Sequence, residues 1–130
     1  MAAAGALRRE YIYITTIIRT LWMLRLVTPA ARRTIVDIVE GQAARRPDAV
    51  AILYQDESLS YAALDARANA YAHWAIGQGI GRSDCVALLM ENRPDFIAAW
   101  LGLFKAGASA ALINTNLAGA ALAHSVAISG

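Results

Sequence analysis

The residues of this chain that could do chemistry fall into three groups. Glu91, Asn92 and Arg93 follow one apolar run, and Asn114, Thr115 and Asn116 follow another. Amides, a hydroxyl and two opposite charges therefore stand where two strands would end. Ligands of open parallel sheets bind outside the carboxyl ends of strands, so Asn92, Asn114 and Asn116 form a candidate site rim. The same residue types also close turns and cap helices, which is the plainer reading of them. The second group is Cys85, His73 and His124. One cysteine excludes an internal disulfide and fits a reducing compartment. Cys85 opens an apolar run, where a thiol behaves as a small buried hydrophobe. Nothing beside it supplies the electropositive setting of a nucleophile. His73 and His124 fall singly on predicted helices with no second ligand at metal spacing, so no metal site is expected. The third group, Gly77, Gly79 and Gly81, closes a helix and leads into a strand. A phosphate-binding glycine loop does the reverse, following a strand and opening a helix. No catalytic or cofactor-binding residue is assigned.

The elements that position the asparagines form one strand-helix-strand unit over Cys85 to Asn116. CVALLM (Cys85 to Met90) and SAALIN (Ser109 to Asn114) are unbroken apolar runs, the pattern of strands buried on both faces of a parallel sheet. Between them Pro94 opens a helix with its backbone angle already set, Asp95 complements the helix dipole, and Gly107 stops it. Phe96, Ile97, Trp100, Leu101, Leu103 and Phe104 cover more than half of this helix, which predicts a core tryptophan at position 100. Upstream, Thr34 caps a helix over Ile35 to Ala44 with Asp37 in its first turn. AVAILY (Ala49 to Tyr54) and SLSY (Ser58 to Tyr61) read as a hairpin. Ser60 caps a helix to Gly77 whose Leu64, Ala68, Tyr71, Ala72 and Ala75 share a face. A last helix spans Ala118 to Ser129.

The amino-terminal stretch has a different character. Apolar residues make up 58% of the 130-residue chain and charged residues 17%, with a net charge of +2. Residues 1–46 carry +5 and the remainder −3. The arginines alternate with Ile, Leu and Trp rather than with small polar residues, which argues against nucleic acid as a partner. Arg19 and Arg25 interrupt Leu7 to Val27, so it is too broken to span a bilayer, and it is no secretion signal. On a helical wheel Tyr13, Ile14, Ile17, Ile18, Leu21, Trp22 and Leu24 share a broad face, with Arg8, Thr15, Thr16 and Arg19 opposite. Arg25 interrupts the apolar side, Pro29 breaks the helix, and Ala30 to Arg33 is a basic link. Two readings stand equally: an interfacial helix placing Ile14, Ile18, Leu21 and Trp22 in a membrane surface, or a helix packing on protein. The organisation expected is an arm and link over 1–33 and an α/β unit over 34–130.

The run VALLMENRPDFIAAWLGLFKAGASAALINTNLAGAALAHSVAISG, with SLSYAALDARANAYAHWAIGQGIGRSDCVALL before it, resembles the fatty acid transport protein and very long-chain acyl-CoA synthetase group of the acyl-adenylate-forming superfamily. The resemblance covers Thr34 to Gly130 and is most specific at INTNL with Gly119, Leu122 and His124. Ala63 departs from it, since the superfamily usually carries an acid there to complete a capping box with Ser60. The fold implied is the amino-terminal part of an acyl-adenylate-forming large domain, a parallel βαβ core behind a hairpin and an N-terminal helical arm. The resemblance further implies a full-length long-chain acyl-CoA ligase using ATP, Mg2+ and CoA on a fatty acid, cytoplasmic or peripheral at the inner membrane face. The Ser/Thr/Gly phosphate loop and catalytic lysine of such enzymes lie downstream of the matched stretch. No reaction is therefore expected of this chain without the carboxyl-terminal part of the same enzyme. A self-contained α/β binding module and a peripheral membrane or interaction piece without activity are the competing readings. Both edges of the sheet would have to be protected in the first of these.

Overall fold

A computed structural model describes residues 2–24 and 33–129. The chain divides into two compact units, residues 1–32 and 33–130. The first contains helix α1, Ala2–Leu24. Arg25, Pro29 and the start of the basic link lie outside the described residues.

The second unit begins at a complete capping box. Thr34 caps α2 (Ile35–Arg45), accepting the Asp37 N–H on its hydroxyl while the Asp37 carboxylate accepts the Thr34 N–H at 2.6 Å. The backbone and then the side-chain hydrogen bond from Thr34 hold the Asp37 carboxyl below its ordinary value. Strands β1 (Val50–Tyr54) and β2 (Glu57–Ser60) pair antiparallel, with a register shift between Val50 and Ile52. Helix α3 (Tyr61–Gly77) is capped by Ser60, whose hydroxyl accepts the Ala63 N–H at 3.2 Å. Ala63 returns no side-chain bond, as its lack of an acid requires. Leu64, Ala68, Ala72 and Ala75 are buried on one face of α3, the face expected, and Tyr71 is half-buried beside them.

The strand-helix-strand unit is present as β3 (Cys85–Leu88), α4 (Pro94–Lys105) and β4 (Ser109–Leu112), with β3 and β4 parallel in the register Cys85↔Ser109 to Leu88↔Leu112. The ladder stops two residues short of each expected strand end. Gly107 ends α4 at φ +88, donating to the Phe104 carbonyl while Ala108 donates to that of Leu103. This double closure satisfies two otherwise orphaned carbonyls and needs the left-handed conformation glycine tolerates. Helix α5 (Gly119–Ala127) follows and buries none of its residues.

The core lies between α2, β2, α3 and α4 and is built from Val39, Leu59, Leu64, Ala68, Ala98 and Leu101. Two expectations fail here. Cys85 is exposed, not buried. Along β3, exposed Cys85 and Ala87 alternate with half-buried Val86 and buried Leu88, so only one face of this strand is covered. Trp100 is half-buried rather than core. The face of α4 that meets its neighbours most closely carries Ala98, Leu101 and Gly102, and Trp100 lies aside, its ring tilted 59° to Phe104 with centroids 5.1 Å apart. Truncation of a fully buried tryptophan costs about 3–5 kcal/mol. At this half-buried site Trp100→Ala is expected to cost about 1–2 kcal/mol in urea unfolding, and a full core penalty would return the side chain to the interior.

Candidate functional site: a neutral cleft at the strand ends

The loops that follow β3 and β4 leave a space beside Phe96 of α4. The space left is a cleft of about 480 Å³ lined by Met90, Asn92, Phe96, Leu112, Ile113, Asn114 and Thr115. Asn92 and Asn114 are thus brought to one opening, although they come from loops 22 residues apart in sequence. Asn116 is not in the lining. Its N–H donates to Asn114 Oδ1 at 2.9 Å, while Leu117 N–H donates to the Asn114 carbonyl at 3.1 Å. The Asn114 side chain therefore closes the turn with its oxygen, the plainer of the two roles.

The chemistry available in the cleft is limited. Its polar groups are two amides and the Thr115 hydroxyl, set on a floor of Phe96, Leu112, Ile113 and Met90. Glu91 and Arg93 are exposed and do not line it. Such a surface can accept and donate hydrogen bonds and bury an apolar group. It holds no acid, base or nucleophile, so what it offers is recognition rather than bond making. Cys85, His73 and His124 are exposed at separate positions, and no group of three metal-ligating side chains occurs among the described residues.

One charged constellation was not expected from the sequence. Lys105, in the last turn of α4, has a side chain only 9% exposed, and its ammonium donates to Asp65 Oδ1 of α3 at 2.8 Å and to Glu40 Oε1 of α2. Burial pushes its pKa down, but the hydrogen bonds to Asp65 and Glu40 and their charges outweigh it, and the value is raised. Lys105 also borders a hollow of about 390 Å³ with Thr34, Ile35, Val36, Phe104, Gly107 and Ala108. Both carboxylates already hold the ammonium, so this is a tie between three helices. The signal in the sequence was faint: the only lysine among eleven arginines, inside an apolar helix. Arg67 makes a looser tie, to Glu57 at 3.1 Å and Asp95 at 3.3 Å, with all three side chains about 40% exposed. Exposed pairs of this kind contribute little to stability.

On α1, Ile14, Ile18, Leu21 and Trp22 are all exposed, Trp22 at 67%. No helix among the described residues is long and apolar enough to cross a membrane.

Comparison with known proteins places this architecture. The chain is 38% identical over 125 residues to long-chain fatty acid transport protein 1 of Bos taurus, a match covering 95% of this chain and 19% of that protein. It is 44% identical over 87 residues to a medium/long-chain-fatty-acid and 3-oxocholest-4-en-26-oate CoA ligase of Mycobacterium marinum, covering 67% of this chain and 16% of the ligase. Among solved structures, the N-terminal subdomain of Klebsiella oxytoca NpsA in complex with 3-hydroxyanthranilyl-AMSN superposes with a TM-score of 0.69 at 24% identity, covering 73% of this chain and 24% of that one. That likeness shows the fold: this α/β unit has the fold of part of that N-terminal subdomain. The chain spans less than a fifth of the length of either curated relative. A profile of AMP-binding enzymes matches residues 39–130, from the buried Val39 of α2 through the cleft to the end of α5, and the chain belongs to the AMP-binding enzyme family.

Proposed function

We propose that this chain supplies the amino-terminal part of a long-chain or very long-chain fatty acyl-CoA ligase. The observation that carries the reading is that relatives matched over 95% and 67% of the chain both bear fatty-acid names, one a transport protein and the other a CoA ligase. In the reaction of such a ligase a fatty carboxylate oxygen attacks the α-phosphorus of ATP, pyrophosphate leaves, and an acyl-adenylate forms. The CoA thiol sulfur then attacks the acyl carbon, releasing AMP and the thioester. The residues described here do not fit the phosphates or Mg2+ of that reaction, because the strand-end cleft has no charged lining and the one buried ammonium is held by two carboxylates. No step is assigned to them. Their part is scaffold, with Asn92 and Asn114 as rim residues that contact a neutral portion of a ligand. The chain acts in the cytoplasm at the inner face of the membrane, with α1 supplying the contact.

The test is the release of AMP. The chain incubated with ATP, a long-chain fatty acid and CoA is expected to release no AMP above a buffer blank. A chimera carrying residues 34–130 in place of the matching segment of the mycobacterial ligase is expected to retain fatty-acid-dependent AMP release. Turnover by the chain alone would overturn the scaffold role, and a folded chimera without activity would overturn the assignment to a ligase.

A further inference from the structure

We propose that α1 pairs with the α1 of a second copy of this chain as a short two-stranded coiled coil. The inference goes beyond the proposed function and is independent of any membrane contact. Ala4, Leu7, Tyr11, Ile14, Ile18 and Leu21 follow one another at spacings of 3, 4, 3, 4 and 3 residues, a heptad repeat with no apolar position missed. With successive residues about 100° apart on the helix, all six positions fall within one arc of about 100°. No charged residue of α1 falls in this arc. Glu10 stands just outside one border, at a flanking position that a coiled-coil pair leaves beside water, and Arg8, Arg9 and Arg19 lie farther round. Ile12 is off the seam. The repeat ends at Arg25, which lies outside the described residues.

The helix itself calls for a covered face. Seven of the nine residues from Ile12 to Thr20 are β-branched, and such stiff side chains lower helix propensity. A helix of that composition is held by packing rather than by its own backbone. Yet Ile14, Ile18 and Leu21 are 53%, 61% and 61% exposed in the single chain. The repeat selects what covers them, because knobs set 3.5 residues apart fit holes of the same spacing on a partner of similar length. No other helix among the described residues matches the 23 residues of α1: the next longest, α3, has 17, and its buried face is already turned to Gly102 of α4. A second α1 matches in both length and repeat. Ile18 in the first position of its heptad, with Leu7 and Leu21 in the fourth, is the arrangement that favours two strands, and Ile14 is the exception to it.

Sedimentation equilibrium of the full chain over a range of concentrations tests this. The expected result is a reversible rise in mass from 13.9 kDa towards twice that value, with helix content by circular dichroism rising in step. Association should be no weaker in 0.5 M NaCl, since screening relieves repulsion between the arginines of the two helices. Ile12 and Ile14 form a matched pair, both 53% exposed, one off the seam and one on it. Ile14→Gln and Ile18→Gln should each raise the dissociation constant at least ten-fold, and Ile12→Gln should leave it unchanged. Glutamine favours a helix more than isoleucine does, so such a loss would not come from unwinding α1. A mass of 13.9 kDa at every concentration would overturn the proposal. Equal weakening by Ile12→Gln and Ile14→Gln would overturn the seam, and a pair that survives both seam variants would overturn the assignment to α1. Species larger than a pair would overturn the two-stranded arrangement.

Discussion

Replacing Gly102 with alanine is expected to lower the stability of the α/β unit by about 2–3 kcal/mol, the opposite sign to the usual effect of this exchange. Alanine within an exposed helix is favoured over glycine by about 1 kcal/mol. At position 102 a Cβ would stand 2.5 Å from Tyr71 Cβ, 2.7 Å from the Ala68 carbonyl oxygen and 3.0 Å from the Ala72 nitrogen. Two of those three atoms are backbone, so no side-chain rotation relieves the contact and α3 must move away from α4. Such a movement also disturbs Ala68, Ala98 and Leu101, which are fully or nearly fully buried around the same crossing. Urea unfolding of the full chain gives the measurement. A Gly102→Ala variant as stable as the parent would show that the two helices do not meet this closely, and a Gly102→Val variant that still folds cooperatively would show the same.

That crossing also shows what the sequence could and could not reveal. The βαβ order was legible because each signal was local: unbroken apolar runs for β3 and β4, Pro94 at the start of α4 and Gly107 at its end. The exposure of Cys85 was not, because an all-apolar strand predicts two covered faces whereas β3 has one. Nor could the inward face of α4 be chosen from a helix that is apolar nearly all round. Size pointed to Trp100, but close approach of two helices selects the smallest side chains, and Ala98 and Gly102 take that place. At the strand ends the turn-closing role was legible in the residue types. Asn114 closes a turn and still lines the cleft with Asn92, whereas Asn116 contributes only a backbone donor to that turn.

Lys105 had no local signal, since its partners Asp65 and Glu40 lie 40 and 65 residues away. Lys105→Met should cost about 2–3 kcal/mol, somewhat below the 3–5 kcal/mol typical of opening a buried ion pair, because the Glu40 side chain is 50% exposed and can turn to water. Asp65, 22% exposed, is less able to do so. Asp65→Asn in the Lys105→Met background should therefore recover part of the loss, and a double-mutant cycle between the two positions should show clear coupling. The dependence on pH separates this tie from simple packing. The folded-state pKa of Lys105 is raised above its ordinary 10.5, so its contribution is fully present below about pH 10.5 and disappears as the pH rises through the folded value. Asp37 behaves in the opposite sense. Its lowered pKa makes a contribution that is present above pH 3.8 and lost as the pH falls through the folded value. Stability measured from pH 7 to 12 should accordingly show an alkaline decline in the parent that is shallower in Lys105→Met. Identical alkaline limbs, or a loss below about 0.5 kcal/mol on removing the ammonium, would mean that α2, α3 and α4 are held by their apolar faces alone.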